Sequence, residues 1–225
     1  MSQKLKSEKP LQNGKKVVFT GDHIWLDMFG THFDSEKHYD SHNIRDLDSN
    51  DANVHRDLLE ILNSQKDLPE GERNFDVLVT HVIGIDHAGH TFYSSHQEIE
   101  RKINETQRII EDVVEAMDDE TVLILYGDHG MTEDGNHGGG TNLELKTVLF
   151  AYTKKGFPML KQTKKVQKIM EDGSFDDLKQ LDIASIATNI LEVPIPFSSL
   201  GIFHPVFHMS ENMIELPQKM LSNLI

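Results

Sequence analysis

The chain of 225 residues contains no cysteine, which excludes disulfide bonds and thiolate metal sites. Basic residues are scarce: 22 Lys and Arg against 37 Asp and Glu give a formal net charge of -15. This charge disfavours a duplex nucleic-acid binder, which needs a cationic surface. No apolar run reaches the roughly 18 residues of a membrane span, and residues 1–9 lack the apolar core of a signal peptide.

Hydrophobic residues make up 37% of the chain, which is sufficient for one globular domain. Short apolar runs predict four strands, at 15–20, 75–85, 121–126 and 147–152. Helices are predicted at 57–64, 97–117, 161–172 and 182–191, with Asp182 capping the last, and residues 32–53 are predicted to be a surface loop. The second strand, the long helix and the third strand predict a right-handed parallel unit, so the fold class is α/β.

Histidines and carboxylates are concentrated after two of the predicted strands. Asp86 and His90 follow the second strand, Asp128 and His129 follow the third, and His137 lies in a glycine-rich turn. Because the carboxyl ends of parallel strands meet at one edge of a sheet, we expect both pairs to lie at the same edge. Glycines beside each pair allow the chain to leave the strand there.

These five side chains predict a two-metal site. Asp86 and His90 are four residues apart, a spacing that converges on one ion if the chain turns tightly or enters a helix. Imidazole and carboxylate ligands suit zinc or manganese. Two cations roughly 4 Å apart would hold the attacking and the leaving oxygens of a phosphoryl transfer. The sequence therefore predicts phosphate chemistry with two divalent metal ions, zinc in preference to manganese.

Other polar residues have separate predicted places. His81 lies in the buried run and is expected to be a core histidine with a hydrogen-bond partner. Asp22, His23 and Trp25 follow the first strand and could reach a substrate, whereas His87 either supports a metal ligand from behind or faces solvent. Asp22, Trp25 and His87 are therefore the candidate substrate-binding residues. The remaining residues are predicted to lie on the solvated surface: Asp46, Asp48, Asp51, His32, His38, His42 and His55.

Several motifs carry a resemblance to a known family. Residues 127–132 read Gly-Asp-His-Gly-Met-Thr, and residues 135–139 read Gly-Asn-His-Gly-Gly. They resemble the alkaline phosphatase superfamily and, within it, the glycosylphosphatidylinositol (GPI) ethanolamine phosphate transferases. Further stretches look like the branch of the third transferase of the pathway: 17–22 with Trp25, 43–48, 81–89 and 194–197.

The resemblance covers about residues 12–202. It implies an alkaline-phosphatase-like fold, with a mostly parallel central sheet flanked by helices. We expect a partial domain of this kind over 1–207 and a separate C-terminal tail at 208–225.

The resemblance also assigns the metal ligands to two ions. In that superfamily an Asp and a His of a D-x-x-x-H motif and a later His hold one metal, which implies Asp86, His90 and His137. The second ion is implied to take Asp128 and His129, with an upstream Asp and a Thr nucleophile. Those two residues have no match in this chain, so we expect them before Met1, with the chain beginning partway through the domain.

The function implied by the resemblance is transfer of phosphoethanolamine from phosphatidylethanolamine to a mannose of the GPI anchor precursor. It implies the lumenal side of the endoplasmic reticulum membrane and, in the full-length family, a membrane region and a small membrane partner subunit. Two alternatives stay open. The first is another superfamily phosphoesterase, such as a pyrophosphatase or a phosphoglycerate mutase, and the second is a non-catalytic metal-binding remnant or fragment.

Overall fold

The computed structural model describes residues 14–69, 71–158, 178–202, 204, 207 and 209. The described elements, in chain order, are β1 (Val17–Asp22), α1 (Ile24–Phe29), a 3-10 turn (Gly30–His32), β2 (Ser35–Tyr39), α2 (Ser49–Lys66), β3 (Val77–Thr80), α3 (Gly84–Phe92), α4 (Gln97–Ala116), β4 (Leu123–Tyr126), α5 (Asn142–Leu145), β5 (Leu149–Tyr152) and α6 (Asp182–Leu191). The predicted helix at 161–172 and nearly all of the predicted tail at 208–225 lie outside the described residues.

A parallel three-stranded sheet forms the centre of the fold, with strand order β2-β1-β3. In its register Thr20 of β1 lies beside Thr80 of β3, and Asp22 lies beside Tyr39 of β2. The residues of β1 are almost all buried, as expected of a central strand covered on both faces. Helices flank this sheet, so the predicted α/β, alkaline-phosphatase-like fold is confirmed.

The second helix, α2, packs against β1 and α4 through one apolar face. Val54, Leu58 and Leu62 recur every four residues on this face, and each is at most 5% exposed. Full burial of such a side chain stabilises the fold by about 1.5–3 kcal/mol. Within the same interface Thr20 Oγ1 donates a hydrogen bond of 3.2 Å to the buried carboxylate of Asp57. The prediction of a short helix at 57–64 found this helix but missed its first two turns.

The stretch 32–53 is not the loop that its polar composition predicts. It contains strand β2, which pairs along β1, and the start of α2. An edge strand tolerates polar side chains because its outer side faces water, and β2 is exposed at four of its five residues. Asp46 precedes α2, and its Oδ1 accepts hydrogen bonds from the backbone N–H groups of Asp48 and Ser49 at the start of the helix.

The predicted pairing of the second and third strands is wrong. In the described residues β3 pairs with β1, and β4 pairs with β5. An apolar run indicates that a segment is a strand, but its partner depends on long-range contacts that the run does not encode. The predicted strand at 75–85 is also shorter, because the chain enters α3 at Gly84. The long helix predicted at 97–117 is confirmed as α4.

The described residues group into two compact units. The first unit comprises those up to Asp118 together with His129–Leu149, and the second comprises Asp119–Asp128 and those from Phe150 onward. In the second unit α6 has the predicted bounds, but Asp182 does not cap its first turn. Its buried carboxylate accepts hydrogen bonds from the backbone N–H groups of Lys179 and Ile202 and contacts His204 Nε2 at 3.1 Å.

Candidate metal centre

Helix α3 places Asp86 and His90 one turn apart on the same side. Its N-terminus is satisfied from another element, because Asp51 Oδ1 accepts hydrogen bonds from the N–H groups of Ile83 (2.9 Å) and Gly84 (3.1 Å). These N–H groups have no partner inside the helix, and a carboxylate there also interacts favourably with the helix dipole. Asp51 therefore fixes the position from which both candidate ligands project.

Asp51 is fully buried, and its charge is balanced by Lys102 of α4. The Lys102 ammonium lies 2.8 Å from Asp51 Oδ2 and 2.9 Å from Glu105 Oε2, and its side chain is 0% exposed. Burial alone would lower the pKa of Lys102, but the hydrogen bonds and charges of Asp51 and Glu105 outweigh it and raise this pKa. Lys102 therefore stays charged, and its contact with Asp51 ties together α2, α3 and α4.

Close backbone packing brings α3 against the loop that carries His137. A Cβ on Gly89 would lie 2.0 Å from Met131 Sδ, and a Cβ on Gly135 would lie 2.1 Å from the carbonyl oxygen of Gly89. Gly135 also has a φ of +80°, which favours glycine. Gly89 thus permits close approach within a helix, and a helix is one of the two arrangements that the four-residue spacing predicts.

The loop itself is held by Glu144, which is 7% exposed. Its carboxylate accepts hydrogen bonds from the N–H groups of Gly139 (2.7 Å) and Thr141 (3.1 Å), and its carbonyl oxygen accepts one from Gly130 N–H (2.7 Å). The hydrogen bonds from the Thr141 hydroxyl, the Thr141 N–H and the Gly139 N–H lower the pKa of Glu144. Glu144 therefore fixes both ends of the segment that contains His137.

Three ligand atoms converge where α3 meets this loop. Asp86 Oδ1 lies 3.2 Å from His137 Nε2 and 3.5 Å from His90 Nε2, and the two Nε2 atoms are 3.1 Å apart. The Asp86 oxygen is buried, yet it accepts no hydrogen bond from any residue that the structure describes. A buried carboxylate oxygen without a hydrogen bond is costly, so it indicates a partner of another kind.

The spacing of these three atoms fits a metal ion. A tetrahedral zinc ion with bonds of about 2.0–2.1 Å separates its ligand atoms by roughly 3.3–3.4 Å. The three measured separations, 3.1, 3.2 and 3.5 Å, bracket that value. Two imidazole nitrogens and one carboxylate oxygen also form a donor set that zinc and manganese accept.

His129 extends this cluster. Its ring stacks on the ring of His137 with centroids 3.8 Å apart. One ligand atom from each of Asp86, His129 and His137 lies within 4.8 Å of the others. His129 Nδ1 lies 3.0 Å from the carbonyl oxygen of Gly130, which can only accept, so Nδ1 carries the proton in that contact. Nε2 is then the ring atom that His129 would offer to a metal.

Comparison with known proteins adds a family to this geometry. The family model described as type I phosphodiesterase / nucleotide pyrophosphatase matches residues 6–162. The chain belongs to this family. No solved structure matches the chain. Among the described residues, no helix is long and apolar enough to cross a membrane.

The curated relatives of this chain described below are all named GPI ethanolamine phosphate transferase. The human GPI ethanolamine phosphate transferase 3, catalytic subunit, is 33% identical over 84% of this chain and 16% of its own length. The Saccharomyces cerevisiae GPI ethanolamine phosphate transferase 3 is 31% identical over 91% of this chain and 19% of its own length. A Kluyveromyces lactis GPI ethanolamine phosphate transferase 2 is 32% identical over 83% of this chain and 24% of its own length. The chain thus spans less than a quarter of each of these relatives.

The structure gathers four of the five predicted ligands, Asp86, His90, His129 and His137, in the first unit. The fifth, Asp128, belongs to the second unit, where its carbonyl oxygen accepts a hydrogen bond of 2.9 Å from Gln180 Nε2. Its membership of the metal centre stays a prediction.

The candidate substrate-binding residues of this family member have protein partners. Asp22 is 1% exposed and pairs with His81 Nδ1, which confirms that His81 has a hydrogen-bond partner. The expected core position of His81 is wrong, because His81 follows β3 and its side chain is 24% exposed. Trp25 packs beside Phe19, with ring centroids 5.9 Å apart. His87 is 3% exposed and its Nδ1 donates to the carbonyl oxygen of Asp46, so the solvent-facing alternative is wrong. A substrate contact by these three residues stays a prediction.

Asp51 and Lys102 are functional positions that the sequence patterns do not predict. Asp51 was predicted to be a solvated loop residue, but it is 0% exposed in α2. Lys102 is buried on one side of α4, as are Ile109, Val113 and Ala116. The apolar residue next to it, Ile103, is half exposed. A lysine at helical spacing within an apolar stripe is the signal that could have found this pair.

Proposed function

We propose that this chain carries the metal centre of a GPI ethanolamine phosphate transferase of the third-transferase branch. The observation that carries the proposal is the convergence of Asp86 Oδ1, His90 Nε2 and His137 Nε2. The Asp86 oxygen is buried and accepts no hydrogen bond from a described residue. The family match and the names of the human and yeast relatives support the reaction. The human transferase 3, 33% identical, supports this branch, and the transferase 2 relative is 32% identical.

Each side chain has a proposed role. Asp86, His90 and His137 would hold one divalent ion, and His129 with Asp128 would supply part of the ligands of a second. Such ions stabilise the negative charge on the phosphoryl oxygens during transfer. Zinc is the proposed ion, and manganese is the alternative for the same donors.

The proposed reaction moves phosphoethanolamine from phosphatidylethanolamine to a mannose hydroxyl of the GPI precursor. The P–O bond to the diacylglycerol oxygen breaks, and a P–O bond to the mannose oxygen forms. The mannose hydroxyl proton ends on the released diacylglycerol. The relatives' names support a location at the endoplasmic reticulum membrane, where GPI anchors are made. The human name, a catalytic subunit, supports a partner subunit.

Metal analysis tests the centre. The purified chain, dialysed against zinc and then washed, should retain zinc, and Asp86→Asn should lose at least one equivalent per chain relative to the wild type. Asp67→Asn is the control, because Asp67 is exposed at the end of α2, outside the cluster. Equal zinc contents in all three proteins would overturn the proposal.

A transfer assay tests the substrates. With phosphatidylethanolamine labelled in its head group and a mannosylated GPI precursor, the complete gene product that contains this chain should move label to the glycan, and Asp86→Asn should abolish the transfer. Asp67→Asn should transfer at the wild-type rate. Metal binding without any labelled glycan would overturn the substrate part of the proposal and leave the metal part standing.

The family match favours a second candidate, hydrolysis of a phosphodiester or pyrophosphate bond. The family is named for phosphodiesterase and nucleotide pyrophosphatase activity. The same metal geometry would support such a hydrolysis. Hydrolysis of a nucleotide pyrophosphate substrate, abolished in Asp86→Asn and accompanied by no transfer to a glycan, would select this candidate over the transferase.

A further inference from the structure

A second cluster of metal-binding side chains lies at the carboxyl ends of β1 and β2. His23 follows β1 directly, and Asp40 follows β2 directly. The two strands are parallel neighbours, and His23 N–H donates a hydrogen bond of 3.0 Å to the carbonyl oxygen of Tyr39. Residues 17 positions apart in sequence are therefore held side by side by the sheet.

His42 completes this cluster. Its Nε2 lies 2.8 Å from His23 Nε2, and the ring centroids are 4.2 Å apart. One ligand atom from each of His23, Asp40 and His42 lies within 4.8 Å of the others. The sequence predicts His42 to lie on the solvated surface. Its 19-residue distance from His23 hid the fact that parallel pairing joins their strand ends.

Local hydrogen bonds orient these side chains. Asp40 Oδ1 accepts a hydrogen bond of 3.0 Å from His42 N–H, which fixes the turn between them. Ser41 is 6% exposed, and its hydroxyl lies 3.4 Å from His23 Nδ1. A partner on Nδ1 directs the Nε2 lone pair of His23 toward His42, as in metal sites where the second ring nitrogen is hydrogen-bonded.

We propose that His23, Asp40 and His42 bind a divalent zinc ion at a site separate from the Asp86 centre. Two imidazoles and one carboxylate are a known zinc donor set, and three protein ligands leave a fourth position open to water. The separation of 2.8 Å between the two Nε2 atoms is shorter than the roughly 3.3 Å edge of a zinc tetrahedron, so binding requires only a small outward shift of one ring.

The bound ion would join the ends of β1 and β2, because His23 belongs to the first strand end and Asp40 and His42 to the second. Zinc binding here would therefore stabilise the edge strand β2, which is largely exposed. This inference uses no residue of the Asp86 cluster, so it stands or fails independently of the proposed function.

Zinc titration of the purified full chain tests the site. We expect two classes of zinc site in the wild type, and His42→Ala should lose one equivalent per chain while Asp86→Asn loses a different one. The double variant should lose both. His38→Ala is the matched control, since His38 is an exposed histidine on β2 whose Nδ1 pairs with Glu36 at 2.7 Å.

Two further readouts keep the test independent of folding. The circular dichroism spectra of the metal-free wild type and variants should coincide. If His42→Ala unfolds, His23→Gln should lose the same equivalent of zinc in its place. Cobalt(II) in place of zinc should give visible absorption that decreases in His42→Ala and not in His38→Ala. Equal zinc content and equal cobalt absorption in the wild type and both His23 and His42 variants would overturn the proposal, leaving a surface hydrogen-bonded histidine pair.

Discussion

At the scale of single residues, the candidate centre depends on side chains that no motif contains. Asp86 and His90 are readable from sequence, because a spacing of four on a helix brings two ligands to one side. Asp51 and Lys102 hold that helix in place. Asp51 lies in a polar stretch that gives no sign of burial, whereas Lys102 can be noticed only as a lysine within the apolar stripe of α4. The pairing of the two arises only when α2 and α4 pack on each other.

The buried ion pair gives a stability prediction. Lys102→Met should destabilise the fold by about 3–5 kcal/mol, because it leaves the Asp51 carboxylate buried without a counter-charge. Urea unfolding followed by circular dichroism measures the change. Lys66→Met, at an exposed position of α2, should change stability by less than about 0.5 kcal/mol. A similar small effect at both positions would contradict the assigned role of Lys102.

Glycine at position 130 gives a second prediction, next to His129. A Cβ there would lie 2.0 Å from the carbonyl oxygen of Leu143 and 2.7 Å from that of Lys146, and neither backbone atom can rotate away. Gly130→Ala should therefore cost about 1–3 kcal/mol and weaken zinc binding. Gly140→Ala is the control, because nothing lies within 4 Å of its added Cβ. Equal melting temperatures in the two variants would show that the loop is not packed as described.

At the scale of elements, the sequence predicts which segments form helices and strands better than it predicts which strands pair. Helix α4 and α6 were placed within one residue of their ends, because their apolar spacing and flanking residues are local. Strand β2 was missed, since an edge strand needs few apolar residues, and the pairing of β4 with β5 was missed because pairing is a long-range property. Asp128 follows β4 in the second unit, and its membership of the metal centre stays a prediction.

The joint between α2 and the sheet gives a pH prediction. Burial opposes ionisation of Asp57, but hydrogen bonds from Tyr39, Lys37 and Thr20 outweigh it and lower the pKa of Asp57. A carboxyl whose pKa is lower in the folded state contributes stability above its unfolded pKa, near 3.9, and loses it as pH falls through the folded value. Asp57→Asn should thus be destabilised at pH 7.

The difference between Asp57→Asn and the wild type should then shrink as the pH falls below about 4. Thermal melts between pH 7 and pH 2.5 measure it. Asp67→Asn, at an exposed position, serves as the control and should follow the wild type throughout. A difference for Asp57→Asn that stays constant across this range would show that the ionised carboxylate is not the stabilising form.

At the scale of the whole molecule, the acidic balance and the histidine clusters point to the same property. A net charge of -15 favours the capture of divalent cations. The described residues form two separate clusters of His and Asp side chains that could hold a metal ion. Ligands that bind only the folded state stabilise it, by about 2.7 kcal/mol when present at 100 times the dissociation constant. Removal of metal with a chelator should therefore lower the melting temperature, and added zinc should restore it. An unchanged melting temperature would contradict metal binding by the folded chain.

Anomalous diffraction at the zinc edge, from crystals of the chain grown with zinc, tests the central claim most directly. The account predicts an anomalous peak about 2.0–2.2 Å from Asp86 Oδ1, His90 Nε2 and His137 Nε2. The same peak should be absent from crystals of Asp86→Asn grown in the same way. A wild-type map with ordered side chains at these three positions and no anomalous density between them would contradict the account.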